Sequence, residues 1–387
     1  MRDVQHDAPL RKALLVHPDL AVLGGAEAYA LALERELCRS GYEVDRFDVA
    51  SISAHAESYL LKLMLRVAML GNGLALLKYA LVLRELPRAG RDYDLVVYSY
   101  GEGREVDTAA LLVCHAPALF STDAEALEWL GVDTRGRLSL CLRRLYVRFC
   151  RALVGGEPTF RVSDRQRTVA NSRWTAERLP RSVDDVRVLY PKVEALQPRP
   201  DIERLPLEVM TLGRLVRNKR LEDVIEACGL LQGRGLRVRL NILGSGNGPY
   251  VSELTALCRQ HEWISLEVGP SRERIADVAA RCSFGVHAYR HEHFGIAVAE
   301  MISAGCLPLV FDGGGVAELV ANSVLRFSDV ASAANSLQKL IEEDRALLER
   351  LRRELRFGDA MERALAFDAE VARLIDELPI PGLEVAE

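Results

Sequence analysis

The sequence predicts an α/β protein built as two doubly wound domains, and three observations lead there. Short apolar runs alternate with longer helical patterns through most of the chain. The alternation stops at a proline-rich stretch, YPKVEALQPRPDIERLP from Tyr190, and restarts beyond it. With 387 residues, 49% of them hydrophobic, there is enough apolar surface for two cores of ordinary size. Repeated β-α units of this kind form a mostly parallel sheet covered on both faces.

In the first domain, expected over residues 1–190, Ala13 to Val16 is a strand. A Gly-rich turn leads from it into a helix through AEAYALALERELCRSG, which Gly41 stops. YEVDRFDVA, YDLVVYSY, ALLVCHAP and RTVANS supply further strands, each followed by polar or turn residues where an α/β sheet keeps its sites. The segment from Tyr59 to Leu86 is strongly apolar but carries Lys62, Arg66, Lys78 and Arg84. Its longest uncharged stretch, Val67 to Leu77, is about half of the roughly 20 residues that cross a bilayer. Gly71-Asn72-Gly73 divides the segment into two short amphipathic helices with basic residues on one side. These helices either pack on the domain core or meet a membrane surface or lipid-like ligand.

In the second domain, expected over 191–355, EVMTLGRL, LRVRLNILG, ISLEVG, SFGVHAY and CLPLVF are strands. LEDVIEACGLLQGRG, YVSELTALCRQH and RERIADVAARC are the helices between them. From about Ala331 only helical patterns remain, and Asp344 to Leu378 reads as two closing helices. The final segment, 356–387, is expected to pack back on the first domain.

The lack of an interleaved aromatic platform and of a recognised nucleic-acid motif argues against a nucleic-acid partner. The eight cysteines form no Cys-x-x-Cys pair and read as reduced, buried thiols of a cytoplasmic protein. The opening MRDVQHDAPLRKALLVHP has no apolar core of signal-peptide length. Neither His287, His291 and His293 nor the Asp92/Asp94 pair has metal-ligand spacing, so no metal site is expected. Between Arg135 and Arg181, twelve arginines face only Glu157, Asp164 and Glu177, with LRRLYVRFCRAL inside the stretch. That local excess suits an anionic membrane face or a lipid diphosphate, or is an ordinary basic surface.

Several positions carry chemistry. Gly24-Gly25 follows a strand at the mouth of a helix, which fits either a phosphate-type anion site or a plain turn. LGSGNGPY, with Gly244, Gly246 and Gly248, is a second such loop, open to close approach by a base or phosphate or again a plain turn. Neither has the spacing of a dinucleotide fingerprint, which excludes a dehydrogenase of the usual kind. In GRLVRNKRLEDVIEA, Arg214 and Lys219 stand five apart between strand and helix, where a forked guanidinium and a mobile ammonium fit a diphosphate. Arg217 and Arg220 are then the solvent-facing members. His115 ends an apolar strand ahead of Pro117, as a neutral-pH base or a satisfied loop histidine.

The order of Gly24-Gly25, ANSRWTAERL, GRLVRNK, LGSGNG, Glu292 through Glu300 and DGGGVAELV resembles the retaining GT-B glycosyltransferases of family 4, from about Leu14 to Val320. Within that family NSRWTAERL, VLYPKV and HEHFGIAVAEMISAG are most similar to lipid-linked oligosaccharide mannosyltransferases. The resemblance implies two Rossmann-like domains facing across a cleft, with a nucleotide sugar held mainly on the second. It implies that Glu300 accepts hydrogen bonds from the ribose, that Glu292 lies near the transferred sugar, and that Phe294, Gly295 and Ile296 supply backbone beside it. Arg214 and Lys219 would neutralise the leaving diphosphate without a metal. His115 would lie near sugar and acceptor, Gly25 would let the first helix close on the phosphates, and Asn171 would line the cleft. No cofactor is implied. The donor is GDP-mannose, or else a UDP-sugar, and the acceptor a glycan or polyprenol-linked glycan met at the cytoplasmic membrane face. The competing reading is a GT-B protein that binds a nucleotide sugar, or a partner transferase, without turnover.

Overall fold

In a computed structural model of the chain, which describes residues 11–22, 24–70, 74–86, 92–131 and 137–378, the strands pair into two six-stranded sheets. Gly71-Asn72-Gly73, Arg135 and the residues from 379 onward lie outside the described residues. The chain divides into two units, each with its own sheet: one runs to Lys192 and takes up again at Phe367, the other is Val193–Ala366.

The first unit runs β1 (Arg11–Val16), α1 (Gly25–Arg39), β2 (Tyr42–Phe47), α2 (Val49–His55), α3 (Tyr59–Met69), α4 (Ala75–Glu85) and β3 (Leu95–Tyr98). It continues with β4 (Ala109–Cys114), α5 (Ala124–Trp129), α6 (Arg137–Val154), β5 (Gln166–Ala170), α7 (Arg173–Ala176) and β6 (Val186–Val188). The strands are parallel in the order β2-β1-β3-β4-β5-β6. Their period of two sorts the side chains between faces. Leu14, Val16, Val96, Tyr98 and Leu112 pack under α2, α3, α4 and α6. Ala13, Leu15, Leu95, Val97 and Leu111 pack on the other face under α1 and a helix from much later in the chain.

Three local details depart from expectation. YEVDRFDVA is a strand only to Phe47, because Asp48 caps α2 in a capping box with Ser51. The Tyr59–Leu86 segment does form two helices, but α4 is not an amphipathic surface element: Leu76 to Leu83 are all buried. Lys78, expected on a basic face, is 5% exposed and bonds Asp19 Oδ2 at 2.7 Å. The reason is position, since α4 packs between α3 and α6 and meets the loop that leaves β1.

The second unit runs β7 (Leu205–Leu212), α8 (Leu221–Gly233), β8 (Arg239–Gly244), α9 (Pro249–Cys258), β9 (Ile264–Val268), α10 (Arg272–Arg281) and β10 (Cys282–His287). After these come α11 (Ile296–Ser303), β11 (Leu307–Phe311), α12 (Val316–Leu319), β12 (Arg326–Phe327), α13 (Val330–Glu342), α14 (Arg345–Arg356) and α15 (Asp359–Leu365). Its strands are parallel in the order β12-β11-β10-β7-β8-β9. The two closing helices expected over 344–378 are three, broken at Phe357–Gly358 and Ala366. The last, α16 (Phe367–Asp376), belongs to the first unit, where Phe367, Val371, Leu374 and Ile375 pack with Tyr29, Leu33 and Leu37 of α1. Among the described residues no helix is long and apolar enough to cross a membrane.

Candidate active site

The second sheet grows from β7 in two directions, β8 and β9 on one side and β10 to β12 on the other. Loops leaving adjacent strands at such a switch point diverge and open a crevice at the carboxyl ends. The β7–α8 and β10–α11 loops meet there.

Lys219 closes a single 3-10 turn, Arg217–Lys219, and its ammonium forms an ion pair with Glu292 Oε2. His287, the last residue of β10, sets Nε2 3.0 Å from that same oxygen. Lys219 Nζ also lies over the Tyr289 ring, 4.7 Å from its centroid. All four side chains are largely buried. Burial alone would raise the Glu292 carboxyl, but Lys219 and the His287 hydrogen bond more than reverse this and hold it well below the usual carboxylate range. Burial, aided by the Lys219 charge, lowers His287 against the pull of Glu292. An ionised carboxylate only accepts, so the neutral imidazole donates from Nε2. Burial pushes the Tyr289 hydroxyl up, with Arg214 acting against it and Asn218 hydrogen-bonded to it.

Backbone geometry fixes this arrangement. Gly295, the N-cap of α11, has φ +99°, and a Cβ there would come within 2.9 Å of Val316 Cγ2. Gly314, with φ +72°, lies against the Glu292 backbone so closely that a Cβ would collide with its carbonyl oxygen. The next amide, Gly315 N–H, donates to that oxygen at 2.6 Å. The DGGGVAELV motif thus clamps the loop that carries Glu292.

The other residues singled out in the second unit divide as follows. Arg214 is exposed, in the β7–α8 loop. Arg217 is exposed and pairs with Glu253, whereas Arg220, expected to face solvent, is half-buried and pairs with Asp223. Its left-handed backbone, φ 52°, turns it toward the first turn of α8. Gly244 packs so tightly on the Gly213 carbonyl that a Cβ has no room, and Gly246 is pressed on Leu215 and Val251. Leu215 N–H bonds Ser245 O at 2.7 Å, so the two glycine-bearing loops brace each other. Phe294 is buried and Ile296 opens α11. Glu300, one turn further, accepts from Arg272 Nη1 at 2.8 Å. Burial raises its carboxyl, with Arg272 opposing.

The first unit carries the rest. His115 follows β4 and packs edge-on to Tyr29, ring centroids 4.8 Å apart. Asn171 follows β5 next to it, gives Nδ2–H to His115 O at 3.2 Å and accepts from Thr175 Oγ1 at 2.8 Å. Gly24 is the extended N-cap of α1 and Gly25 its first residue. Glu27, in the same first turn, brings its carboxylate against Gly24 and within 3.7 Å of buried His17 Nε2. The mouth of α1 therefore already faces an anion.

Sequence reasoning missed His287, Tyr289 and Arg272. His287 was weighed only as a metal ligand, although its place at the end of an apolar strand, five residues before Glu292, was a usable signal. Among the described residues no group of three His, Cys, Asp or Glu is placed to hold a metal ion.

Residues 194–356 match the family model of glycosyl transferases group 1, and Lys219, His287, Glu292 and Glu300 all fall inside the match. The second unit is a group 1 glycosyltransferase domain. The likeness to solved structures spans nearly the whole chain. WaaG, a glycosyltransferase involved in lipopolysaccharide biosynthesis, superposes with a TM-score of 0.60 at 15% identity over 93% of this chain and 99% of that one. Anabaena HepE in complex with UDP-glucose gives 0.59 at 16% identity, over 95% and 100%. At these identities the likeness shows the fold, which is GT-B.

Curated relatives of this glycosyltransferase domain match over shorter stretches. A Dictyostelium discoideum GDP-Man:Man(3)GlcNAc(2)-PP-Dol alpha-1,2-mannosyltransferase is 28% identical over 79 residues, 20% of this chain and 15% of that protein. A Xanthomonas campestris GDP-mannose:cellobiosyl-diphosphopolyprenol alpha-mannosyltransferase is 27% identical over 139 residues, 34% of this chain and 37% of that protein. The matched stretches thus span well under half of either relative.

Proposed function

We propose that this chain is a retaining hexosyltransferase that moves mannose from GDP-mannose to a polyprenol-linked glycan presented at a membrane surface. The observation that carries the reading is the Lys219–Glu292–His287 cluster at the switch point of a group 1 glycosyltransferase domain. Lys219 is a buried cation at a helix entrance, with Arg214 exposed in the same loop. Together they suit the charge that develops on a departing nucleoside diphosphate, with no metal required. Glu292, kept ionised by its neighbours, is an acceptor for sugar hydroxyls. Its Oε2 takes both Lys219 and His287, so Oε1 is the oxygen available to substrate. Glu300 takes the ribose, sharing its carboxylate with Arg272 or exchanging one for the other.

The donor and acceptor follow the two relatives, both of which use GDP-mannose and a lipid diphosphate by name. A UDP-sugar is the alternative donor, the ligand of the Anabaena neighbour being UDP-glucose. The test is transfer of radiolabelled mannose or glucose from GDP-mannose or UDP-glucose to a polyprenyl-diphosphate disaccharide, with the anomer of the product read by NMR. Transfer from GDP-mannose with retained configuration, abolished in Glu292→Ala, is expected. Folded protein that binds nucleotide sugar tightly yet gives no product with any acceptor would leave the non-catalytic reading standing instead.

A further inference from the structure

Two helices of the first unit turn large apolar side chains to solvent. On α3 and the residue that ends it, Tyr59, Leu60, Leu63, Val67 and Leu70 share the outer face, with Tyr59 79% and Leu70 83% exposed. On α6 the outer face is Leu138, Leu142, Leu145 and Phe149, with Leu138 74% exposed. The inner faces are ordinary core: Leu65 and Ala68 on α3, Val147, Cys150 and Val154 on α6. Both helices cover the same side of the first sheet, flanking α4, whose Leu77 N–H donates to Tyr146 of α6 at 3.0 Å. Ten of the sixteen large hydrophobic residues exposed among the described residues lie on these two elements. Single exposed leucines are normal, but this concentration is a surface with an occupant.

The charges beside the rows point to that occupant. Neither helix contains an acidic residue. Exposed Lys62 and Arg66 lie beside the α3 row, and along one flank of the α6 row run exposed Arg148 and two half-buried arginines, Arg144, which donates to Thr122 O at 2.9 Å, and Arg151, which pairs with Glu157. Two apolar faces edged by cations match the acyl boundary and the headgroups of an anionic bilayer. A second copy fits poorly, because a two-fold contact would set these cations against their own images.

We propose that the outer faces of α3 and α6 form a docking surface for a bilayer containing anionic phospholipid, on which both helices lie in the headgroup plane. This deepens the functional reading and rests on it only for its purpose, which is to bring the first unit to the lipid-linked acceptor. Binding itself needs neither donor nor acceptor.

The test is co-sedimentation of the full chain with vesicles of phosphatidylcholine alone or mixed equally with phosphatidylglycerol, at low and high salt. Partition onto the mixed vesicles is expected, weaker by about tenfold on phosphatidylcholine alone and at high salt. Leu142→Ser with Leu145→Ser on α6, or Leu63→Ser with Val67→Ser on α3, should each lower binding about tenfold while leaving the melting temperature unchanged. Arg148→Gln with Lys62→Gln should remove the preference for anionic vesicles and leave the rest. No binding to mixed vesicles, or binding unaffected by the apolar pairs, overturns the proposal. So does a solution dimer that those pairs disperse. A GDP thermal shift run in parallel separates the two readings: vesicle binding without nucleotide binding keeps the docking surface and removes the transferase, and the reverse result does the opposite.

Discussion

Replacing Lys219 with methionine keeps most of the side-chain volume and removes the cation. Glu292 then stays largely buried with only the His287 hydrogen bond to hold its charge. Leaving one member of a buried pair uncompensated costs about 3 to 5 kcal/mol. The pair is not fully enclosed, so the lower end, about 3 kcal/mol, is the working figure. For a unit of this size that is a drop of roughly 6 to 12 °C in melting temperature. The pH dependence has a definite sign. In the wild type the depressed Glu292 contributes stability that is full above the ordinary glutamate pKa and fades as pH falls through its lower folded value. In the variant, burial without Lys219 raises the carboxyl above its unfolded value, so the penalty is full at neutral pH and shrinks on acidification. The gap between thermal melts of the two proteins should therefore narrow from neutral pH to about pH 4. Lys219→Met with Glu292→Gln, which neutralises both partners, should recover most of the loss. A deficit independent of pH, or a double variant worse than the single one, would refute an ion pair as the cause.

Other predictions concern the same site and its supports. Arg214→Ala should lower kcat by at least about tenfold with a smaller change in donor affinity, because its charge matters most as the diphosphate departs; steady-state kinetics alongside a GDP titration would show the split. His287→Gln keeps a donor toward Glu292 and should retain more activity than His287→Phe at equal folded yield, and equal activities would remove His287 from the positioning of Glu292. Gly314→Ala should destabilise the second unit by about 1 to 3 kcal/mol in urea, since the residue adds left-handed strain to a clash with the Glu292 carbonyl. In the first unit, Lys78→Met should cost about 3 to 5 kcal/mol and Lys78→Met with Asp19→Asn much less, an outcome that chemical denaturation can check.

Much of this fold is written in local pattern. The parallel strands are short apolar runs, and the helices between them have period, cap and stop, so β7 through β11 were readable within a few residues. What failed was whatever a distant residue decides. By composition α3 and α4 look alike, both leucine-rich with scattered cations; packing between α3 and α6 makes α4 core, and Asp19, 59 residues before Lys78, pairs its buried cation. At the site, Lys219 and Glu292 were each legible beside a helix entrance, but their bond spans 73 residues and depends on where the sheet changes direction. His287 was discounted because it was asked to bind a metal, while its actual partner is a carboxylate in the next loop. The basic stretch of α6 was legible as charge, and only the structure shows that its leucines face outward beside those arginines.

The helix α16 closes one side of the first sheet, yet residues 193–366 intervene before the ribosome makes it. While the second unit is being synthesised, Tyr29, Leu33 and Leu37 of α1 lack their cover of Phe367, Val371 and Leu374. The first unit thus emerges early but cannot finish folding until α16 has followed the whole of the second unit, a long interval with apolar surface open to chaperones or to misassembly. A chain released short of Phe367 would carry an intact second unit beside a first unit that is permanently unfinished.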